Sequence, residues 1–258
     1  MAHIHPLKDN TTHNHHKMTK LSVNINKIAT LRNARGGNNP DVVQVARDCQ
    51  RFGAQGITVH PRPDQRHITH RDVFDLIPVI TTEYNIEGNP TPEFIELTLK
   101  AHPTQVTLVP DAPSNLTSDA GWDTITHREF LSGVVKTYHD AGIRVSIFTD
   151  PDIRMIEGAK ITGADRVELY TERYARLYAA GEKDIIKEYA TAGEYARSIG
   201  LGLNAGHDLS LDNIEYFISH LPFTDEVSIG HALISESLYL GLENTIGSYL
   251  NKIERASR

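Results

Sequence analysis

Polar side chains able to transfer protons stand at the ends of several short apolar runs in this sequence. Each run is typical of a β-strand. Histidine titrates near neutral pH, and burial can raise the pKa of a glutamate toward the same range, so both suit general acid–base catalysis. A lone histidine is more often a structural hydrogen-bonding group, but three at strand ends beside Glu87 favour a catalytic site. In chain order these positions are Asn24 and Asn26; His60, Arg62 and His67; Glu87; Tyr170 and Thr171, at the end of a run that also carries Glu168; Asn204 and His207; Gly230 and His231.

The same residues argue against a bound metal and leave a covalent alternative open. Zinc and iron sites need clustered histidine, cysteine or carboxylate ligands, whereas the first strand offers Asn24 and Asn26 and no other strand carries a ligand pair. We expect no metal. A barrel aldolase needs a lysine near a strand end to form an imine with a sugar phosphate. Lys27 is the one nearby lysine, so this lysine-dependent reading is the second enzyme hypothesis.

Glycine-containing loops and arginines predict binding of anions. The segments NAGH (204–207) and SIGH (228–231) follow the seventh and eighth strand patterns, where barrels commonly hold phosphate on backbone N–H groups. Arg32, Arg35 and Arg62 offer guanidinium groups for the same purpose, although Arg32 and Arg35 have the alternative of being solvated loop charges. Small phosphorylated substrates are the expected partners.

A repeated strand-plus-helix pattern has to position these residues. Eight such units follow Met18, and the strand runs are largely apolar, as buried parallel strands are. Eight units in this length predict a (β/α)8 TIM barrel, with a doubly wound open sheet as the runner-up. The predicted strands are 21–26, 56–60, 85–88, 105–111, 144–149, 166–171, 200–207 and 226–231. The predicted helices are 41–53, 70–84, 91–102, 127–141, 151–163, 182–199, 211–220 and 234–255.

Composition excludes several classes of protein. The chain has 258 residues and a formal net charge of −7, which argues against a general nucleic-acid binder, since that needs a basic face. No apolar run approaches the roughly 18 residues of a membrane span. Cys49 is the only cysteine, so no disulfide forms within the chain, and a cytoplasmic protein is expected.

Two segments call for separate interpretations. Five histidines lie in the first 16 residues, so residues 1–17 are expected to be a disordered leader, an expression tag in preference to a native metal-binding tract, ahead of a single domain over 18–258. The alternative of a native metal-binding tract is the basis of a non-enzyme hypothesis, in which the chain is a His-rich metal-carrying protein.

Residues 111–125 form the longest polar connection and contain Trp122. We expect this segment to close over bound substrate, with the fluorescence of Trp122 reporting closure.

Long ordered blocks of the chain resemble the pyridoxine 5′-phosphate synthase family over about residues 20–255. They include VNINKIATLRNARGG (23–37), GITVHPRPDQRHIT (56–69), NIEG (85–88), LNAGHDL (203–209) and IGHALI (229–234). The resemblance implies a (β/α)8 barrel with extra helices, assembled as a homo-octamer (a tetramer of dimers), without metal or organic cofactor. It implies condensation of 3-amino-2-oxopropyl phosphate with 1-deoxy-D-xylulose 5-phosphate to pyridoxine 5′-phosphate, phosphate and water.

The resemblance also implies residue roles. By position in the motifs, His60 is the proton acceptor, Glu87 a second acid or base, and His207 the proton donor. Three positions depart from the family pattern: Asn26-Lys27 stands for a frequent Asp-His, Asp208 for a frequent Gly, and Ile234-Ser235-Glu236 for a Gly-Arg pair. The residues expected to contact substrate are Asn24, Asn26, Lys27, Arg62, His67 and Thr117, together with Arg35, Asp208, Gly230 and His231.

Overall fold

Eight parallel strands close into a barrel in the computed structural model, which describes residues 18–111 and 120–257. Each strand pairs with the next along the chain, and the eighth pairs with the first. The strands are β1 (Lys20–Asn24), β2 (Gly56–Val59), β3 (Glu83–Gly88), β4 (Gln105–Leu108), β5 (Arg144–Thr149), β6 (Arg166–Tyr170), β7 (Gly202–His207) and β8 (Glu226–Ile229).

Helices follow every strand, and the units after β1, β6 and β8 carry two each. This confirms the predicted (β/α)8 TIM barrel with extra helices. The helices are α1 (Asn26–Asn33), α2 (Val42–Arg51), α3 (His70–Leu76), α4 (Pro92–Ala101), α5 (Arg128–Asp140), α6 (Ile153–Thr162), α7 (Glu172–Ala179), α8 (Ile186–Ser198), α9 (Ile214–His220), α10 (His231–Leu240) and α11 (Leu242–Ala256), with a 3₁₀ turn at Lys183–Ile185. None of the helices in the described part of the chain combines the length and the apolar character needed to cross a bilayer.

Side-chain caps start several helices where the sequence predicts them. The Asp41 carboxylate accepts a hydrogen bond from Val43 N at 2.9 Å, and the Thr91 hydroxyl accepts one from Phe94 N at 3.3 Å. Asp152 caps α6 in the same way. Each cap satisfies a backbone donor that the first turn leaves free.

The strands alternate between apolar and polar residues, which corrects the prediction of largely apolar strands. In β3, Tyr84 and Ile86 belong to the hydrophobic core between sheet and helices. Asn85 points the opposite way and accepts a hydrogen bond from Thr107 of β4 at 3.0 Å. The barrel interior is therefore a hydrogen-bonded polar layer below the site, and only the outward faces are apolar.

Helix α1 overturns the prediction that strand 1 runs to Asn26. Strand β1 ends at Asn24, and Asn26 is the first residue of α1, which runs to Asn33. Helix α7 was likewise not predicted. The helix predicted over 234–255 is two helices divided at Gly241, whose φ of 79° ends α10.

Trp122 lies in the connection between β4 and α5, as predicted, and is a packed residue there. Its side chain is buried against the rings of His127 and Phe130, and its backbone N–H donates to Phe148 O at 2.9 Å. Asp111, at the other end of the predicted closing segment, is also buried. Residues 112–119 of that segment, which include Thr117, and the predicted leader 1–17 lie outside the described residues.

Candidate active site

A cavity of about 570 Å³ opens at the carboxyl ends of the strands, which is where barrel enzymes place their active sites. Its volume suits small-molecule ligands. Arg35 is exposed and does not line it, and Thr117 lies outside the described residues. The other predicted site residues all line it: Asn24, Asn26, Lys27, His60, Arg62, His67, Glu87, His207, Asp208, Gly230 and His231.

His60 and Glu87 face each other inside this cavity. His60 Nδ1 lies 3.9 Å from Glu87 Oε2, and both side chains are nearly buried. Burial lowers the pKa of His60 well below its usual value, and the nearby charges of Arg62, His67 and His207 act in the same direction. Burial raises the pKa of Glu87 to about 7. The imidazole is therefore neutral, and the contact is not an ion pair.

His207, the last residue of β7, has the opposite tendency. Burial disfavours its charged form, but the hydrogen bond and charge of Asp208, together with Glu87 and Asp111, raise the pKa of the His207 imidazole. His207 Nδ1 lies 2.7 Å from Asp208 Oδ2. The cavity thus holds a neutral histidine and a histidine that favours the imidazolium form.

Backbone and amide hydrogen bonds connect β1 to the loop that carries His60. The His60 backbone N–H donates to Asn26 Oδ1 at 2.9 Å, and Asn26 N donates to Asn24 Oδ1 at 3.1 Å. Asn24 Nδ2 in turn lies 3.4 Å from Glu87 Oε2. Asn24 and Asn26 therefore hold the two acid–base candidates in place, besides facing the cavity.

Arg62 lines the cavity while forming a buried ion pair. Its Nη2 lies 2.7 Å from Asp111 Oδ2, and both side chains are almost fully buried. A buried guanidinium with this partner is a rigid positive group next to the predicted substrate site.

Arg32 is neither an anion ligand nor a solvated charge, the two readings its sequence position offers. It binds Asp72 of α3 through two hydrogen bonds of 2.5 and 2.8 Å, and its Nη2 also donates to His67 O at 3.2 Å. Asp72 is the residue whose carboxylate completes the capping box with Thr69. Arg32 therefore fixes the His67 loop against α1.

Glu168 is the main cavity residue absent from the predicted site set. It is 3% exposed, and burial together with the Glu87 and Glu226 carboxylates raises its pKa well above the usual value. Glu168 is the middle residue of β6, and its place on the polar face of that strand is the signal that marks it. The other cavity residues outside that set are Thr30, Arg66, Val109, Phe148 and Ser228.

The start of α10 provides an anion-binding element at the cavity wall. Gly230 precedes the helix, and its amino-terminal residue His231 lines the cavity. A Cβ at Gly230 would lie 3.1 Å from the Asn24 side chain, so glycine is needed for this close approach. Backbone N–H groups at such a helix start favour a phosphate.

No group of three or more His, Cys, Asp or Glu among residues 18–111 and 120–257 is arranged to hold a metal ion. The cavity carboxylates and imidazoles are instead distributed around its wall, next to arginine and asparagine. This arrangement suits proton transfer.

Residues 21–255 match the family model described as pyridoxal phosphate biosynthesis protein PdxJ. The chain is 60% identical over 238 residues to a pyridoxine 5′-phosphate synthase of Cytophaga hutchinsonii, covering 92% of this chain and 100% of that protein. It is 62% identical over 237 residues to a pyridoxine 5′-phosphate synthase of Flavobacterium johnsoniae, with the same coverage.

Solved structures of other barrel enzymes share the fold at low sequence identity. The 3-keto-L-gulonate-6-phosphate decarboxylase of Vibrio cholerae superimposes with a TM-score of 0.64 at 13% identity, covering 93% of this chain and 99% of that one. Orotidine 5′-monophosphate decarboxylase of Methanocaldococcus jannaschii gives 0.62 at 11% identity, covering 92% and 99%. These similarities support the barrel architecture alone.

Proposed function

Because the chain belongs to the pyridoxal phosphate biosynthesis protein PdxJ family and is a pyridoxine 5′-phosphate synthase, we propose that its cavity condenses 3-amino-2-oxopropyl phosphate with 1-deoxy-D-xylulose 5-phosphate. The observation that carries this assignment is one cavity lined by His60, which lies 3.9 Å from Glu87, by Glu87 with a pKa of about 7, and by His207, whose pKa is raised by Asp208. The products are pyridoxine 5′-phosphate, phosphate and water.

Proton transfers are what this reaction demands of the protein. Imine formation, loss of water, loss of phosphate and ring closure each move a proton to or from a substrate atom. Neutral His60 is the proton acceptor, His207 as imidazolium is the donor, and Glu87 exchanges protons in both directions at neutral pH. Environments that separate the pKa values of neighbouring groups are how active sites assign acid and base roles.

The two phosphate groups have separate places in the proposal. Arg62, His67, Asn24 and Thr117 bind deoxyxylulose phosphate, supported by the position of the first three in the cavity wall. Gly230 and His231 bind the amino-ketone phosphate at the start of α10. Arg35 is exposed and apart from the cavity, so its role toward this second phosphate rests on the resemblance alone.

Lys27 and Asn26 complete the proposed substrate-binding surface. Lys27 is an exposed side chain in the cavity wall and offers a positive charge to a substrate anion. The new imine joins the two substrates to each other, so no enzyme lysine is required. Family membership therefore favours the synthase over the lysine-dependent aldolase, which would form its imine on Lys27.

We place this activity in the cytoplasm and in a homo-octamer built as a tetramer of dimers. The octamer rests on the family resemblance, and the location rests on the composition of the chain with its single cysteine. Exposed apolar side chains at the end of α10, namely Leu238, Tyr239 and Leu240, are compatible with contacts between subunits.

The direct test is product formation by the full chain and by a chain starting at Met18. We expect both to release pyridoxine 5′-phosphate and one equivalent of inorganic phosphate from the two substrates. Activity that requires residues 1–17, or metal binding by the shortened chain without turnover, would contradict the proposal. Borohydride should not trap substrate on Lys27.

A further inference from the structure

The buried hydroxyl of Thr171 stabilises the turn that ends β7. His207 has a φ of 67°, in the left-handed region that residues other than glycine rarely adopt. The Thr171 hydroxyl donates to Gly206 O and accepts a hydrogen bond from the Asp208 backbone N–H at 3.2 Å. Asn213 Nδ2 also lies 3.4 Å from Asp208 O. The backbone that presents His207 and Asp208 is therefore tied to the starts of α7 and α9.

The side chains of these two consecutive residues then meet in one hydrogen bond. Asp208 Oδ2 lies 2.7 Å from His207 Nδ1. An ionised carboxylate only accepts hydrogen bonds, so Nδ1 carries the proton in this contact. The Tyr170 ring packs edge-on against the imidazole, with the ring centroids 5.8 Å apart. The ring has a fixed tautomer and two neighbours that fix its orientation.

We propose that Asp208 is a positioning residue for His207, holding the Nδ1–H tautomer and the ring orientation so that Nε2 exchanges protons with the substrate. This inference rests on the proposed role of His207 as proton donor. It gives Asp208 a function different from the substrate contact that the family resemblance implies. In the donor step the Nε2–H bond breaks and the leaving substrate oxygen takes the proton. His207 becomes a neutral imidazole whose Nδ1–H remains hydrogen-bonded to Asp208.

The hydrogen bond between Asp208 and His207 matters more for the orientation of the imidazole than the attraction between the two charges. The His207 and Asp208 side chains are 37% and 31% exposed, so solvent screens part of their attraction. Carboxylates of Glu87 on β3 and Asp111 after β4 also favour the imidazolium, whereas neighbouring His60 after β2 is neutral. Of the carboxylates named here, only Asp208 is hydrogen-bonded to the imidazole.

Other charged groups stand near His207 in the cavity wall. Glu168 on β6 and His231 at the start of α10 line the same cavity, and Arg62 stands beside Asp111. The Asp208 carboxylate acts directly on Nδ1 through its 2.7 Å hydrogen bond. Removing that carboxylate is therefore expected to change which ring nitrogen is protonated when the imidazole is neutral.

The first test reads the imidazole directly, without turnover. Histidine ring ¹⁵N NMR is recorded on the full chain, with the His207 signal assigned by its loss in His207→Gln. At a pH above the His207 pKa, where the ring is neutral, we expect the Nδ1–H tautomer in the parent protein. In Asp208→Asn and Asp208→Ala we expect a mixed tautomer and a His207 titration shifted to lower pH. Asp212→Asn, an exposed position four residues further on, should leave both unchanged.

Kinetics supply the second test. We expect Asp208→Asn to lower kcat by about tenfold or more, within the range for perturbing a general acid, with KM for both substrates changed less than about twofold. Asp208→Glu should recover part of kcat. A rise in KM for the amino ketone, with the His207 NMR signals unchanged, would instead make Asp208 a ligand of the substrate amine and overturn the proposal. Unchanged kcat and tautomer would overturn it too.

The two tests separate the inference from the function on which it rests. A parent chain that forms no pyridoxine 5′-phosphate would contradict the proposed function, while NMR would still report the Asp208–His207 pair. Thermal unfolding of each variant identifies loss of fold, and the second carboxyl-free variant, Asp208→Ala, keeps the comparison usable if Asp208→Asn does not fold.

Discussion

His60 Nδ1 and Glu87 Oε2 lie 3.9 Å apart, and burial shifts the pKa values of the two groups in opposite directions. Burial disfavours the charged form of both, so the pKa of His60 falls well below its usual value and the pKa of Glu87 rises to about 7. Glu87 can therefore exchange a proton with substrate near neutral pH at little cost in free energy, whereas His60 is held in its neutral form. This arrangement explains how one small cavity serves several successive proton transfers.

Glu87→Gln is expected to lower kcat by roughly 10²-fold or more, the usual scale for a general acid or base. Glutamine keeps the shape and the hydrogen bond to Asn24 but exchanges no proton. The melting temperature should stay the same or rise, because a neutral amide costs less to bury than a carboxylate. Steady-state turnover and thermal unfolding measure the two effects, with exposed Glu182→Gln as the control. Near-normal turnover of Glu87→Gln would remove this residue from the mechanism.

His207 should set the alkaline side of the pH dependence of kcat. Its pKa is raised above the ordinary value, so the imidazolium is present at low pH and is lost as the pH rises through that pKa. A proton donor acts only in the protonated form, and we therefore expect kcat to fall over that interval. His207→Ala should lose roughly 10²-fold or more of turnover and this limb of the profile. An alkaline limb that persists in the variant would assign it to another group.

Side-chain caps account for only some of the predicted helices, since α5, α8 and α9 were predicted and have none. Helices α2, α4 and α6 begin at side-chain caps, and all three were predicted near their true starts. Helices α1 and α7 have no side-chain cap. The hydroxyl of Thr171, which precedes α7, bonds Gly206 O instead. Their stability comes from packing and tertiary contacts, which sequence patterns do not show.

The site was predictable where it depends on strand ends. His60, Glu87 and His207 stand at or next to the carboxyl ends of strands, and barrel geometry brings those ends together. The ion pair of Arg32 could not be predicted from strand ends, because its partner Asp72 lies 40 residues away in the chain and only the fold brings the two together. Glu168 was visible within the sixth predicted strand, but the alternation that points it inward became clear only with the polar barrel interior.

Arg32→Ala is expected to destabilise the protein by about 3 kcal/mol, as removal of one partner of a buried ion pair does. Asp72 would remain buried without its guanidinium, and the His67 loop would lose a hydrogen bond. Arg35→Ala, three residues away and exposed, should change stability by no more than about 0.5 kcal/mol. Urea unfolding of the two variants tests this contrast. Equal small effects would show that Arg32 is solvated after all.

The two phosphate sites predict a specific picture in crystals grown with ligands. We expect one phosphate beside Arg62 and His67 and a second at the amino-terminal turn of α10, next to Gly230. Gly230→Ala places a methyl group 3.1 Å from the Asn24 side chain, so it should raise KM for the amino ketone more than KM for deoxyxylulose phosphate. A structure with both substrates and a single phosphate position would contradict this assignment.

Glu226 should make the protein less stable as the pH rises. It is buried at the amino-terminal end of the barrel, and burial together with the neighbouring Glu83 carboxylate raises its pKa to about 7 from an ordinary 4.5. Between these values the folded state binds more protons than the unfolded state, so this group's contribution favours folding below about pH 4.5 and is lost as the pH rises through about 7. The contribution of Glu83 to stability depends on pH in the opposite direction. Hydrogen bonds from Lys20 and Arg144 outweigh burial and hold the pKa of Glu83 at about 2.

Glu226→Gln isolates the first of these contributions. Glutamine stays neutral and can still donate a hydrogen bond to Glu83, so the variant should match the parent near pH 4.5 and exceed it by about 1–3 kcal/mol at pH 8. Exposed Glu243→Gln is the matched control and should follow the parent throughout. Urea unfolding free energies at several pH values provide the measurement. A constant difference between variant and parent across the range would mean that Glu226 keeps the same charge in the folded and unfolded states.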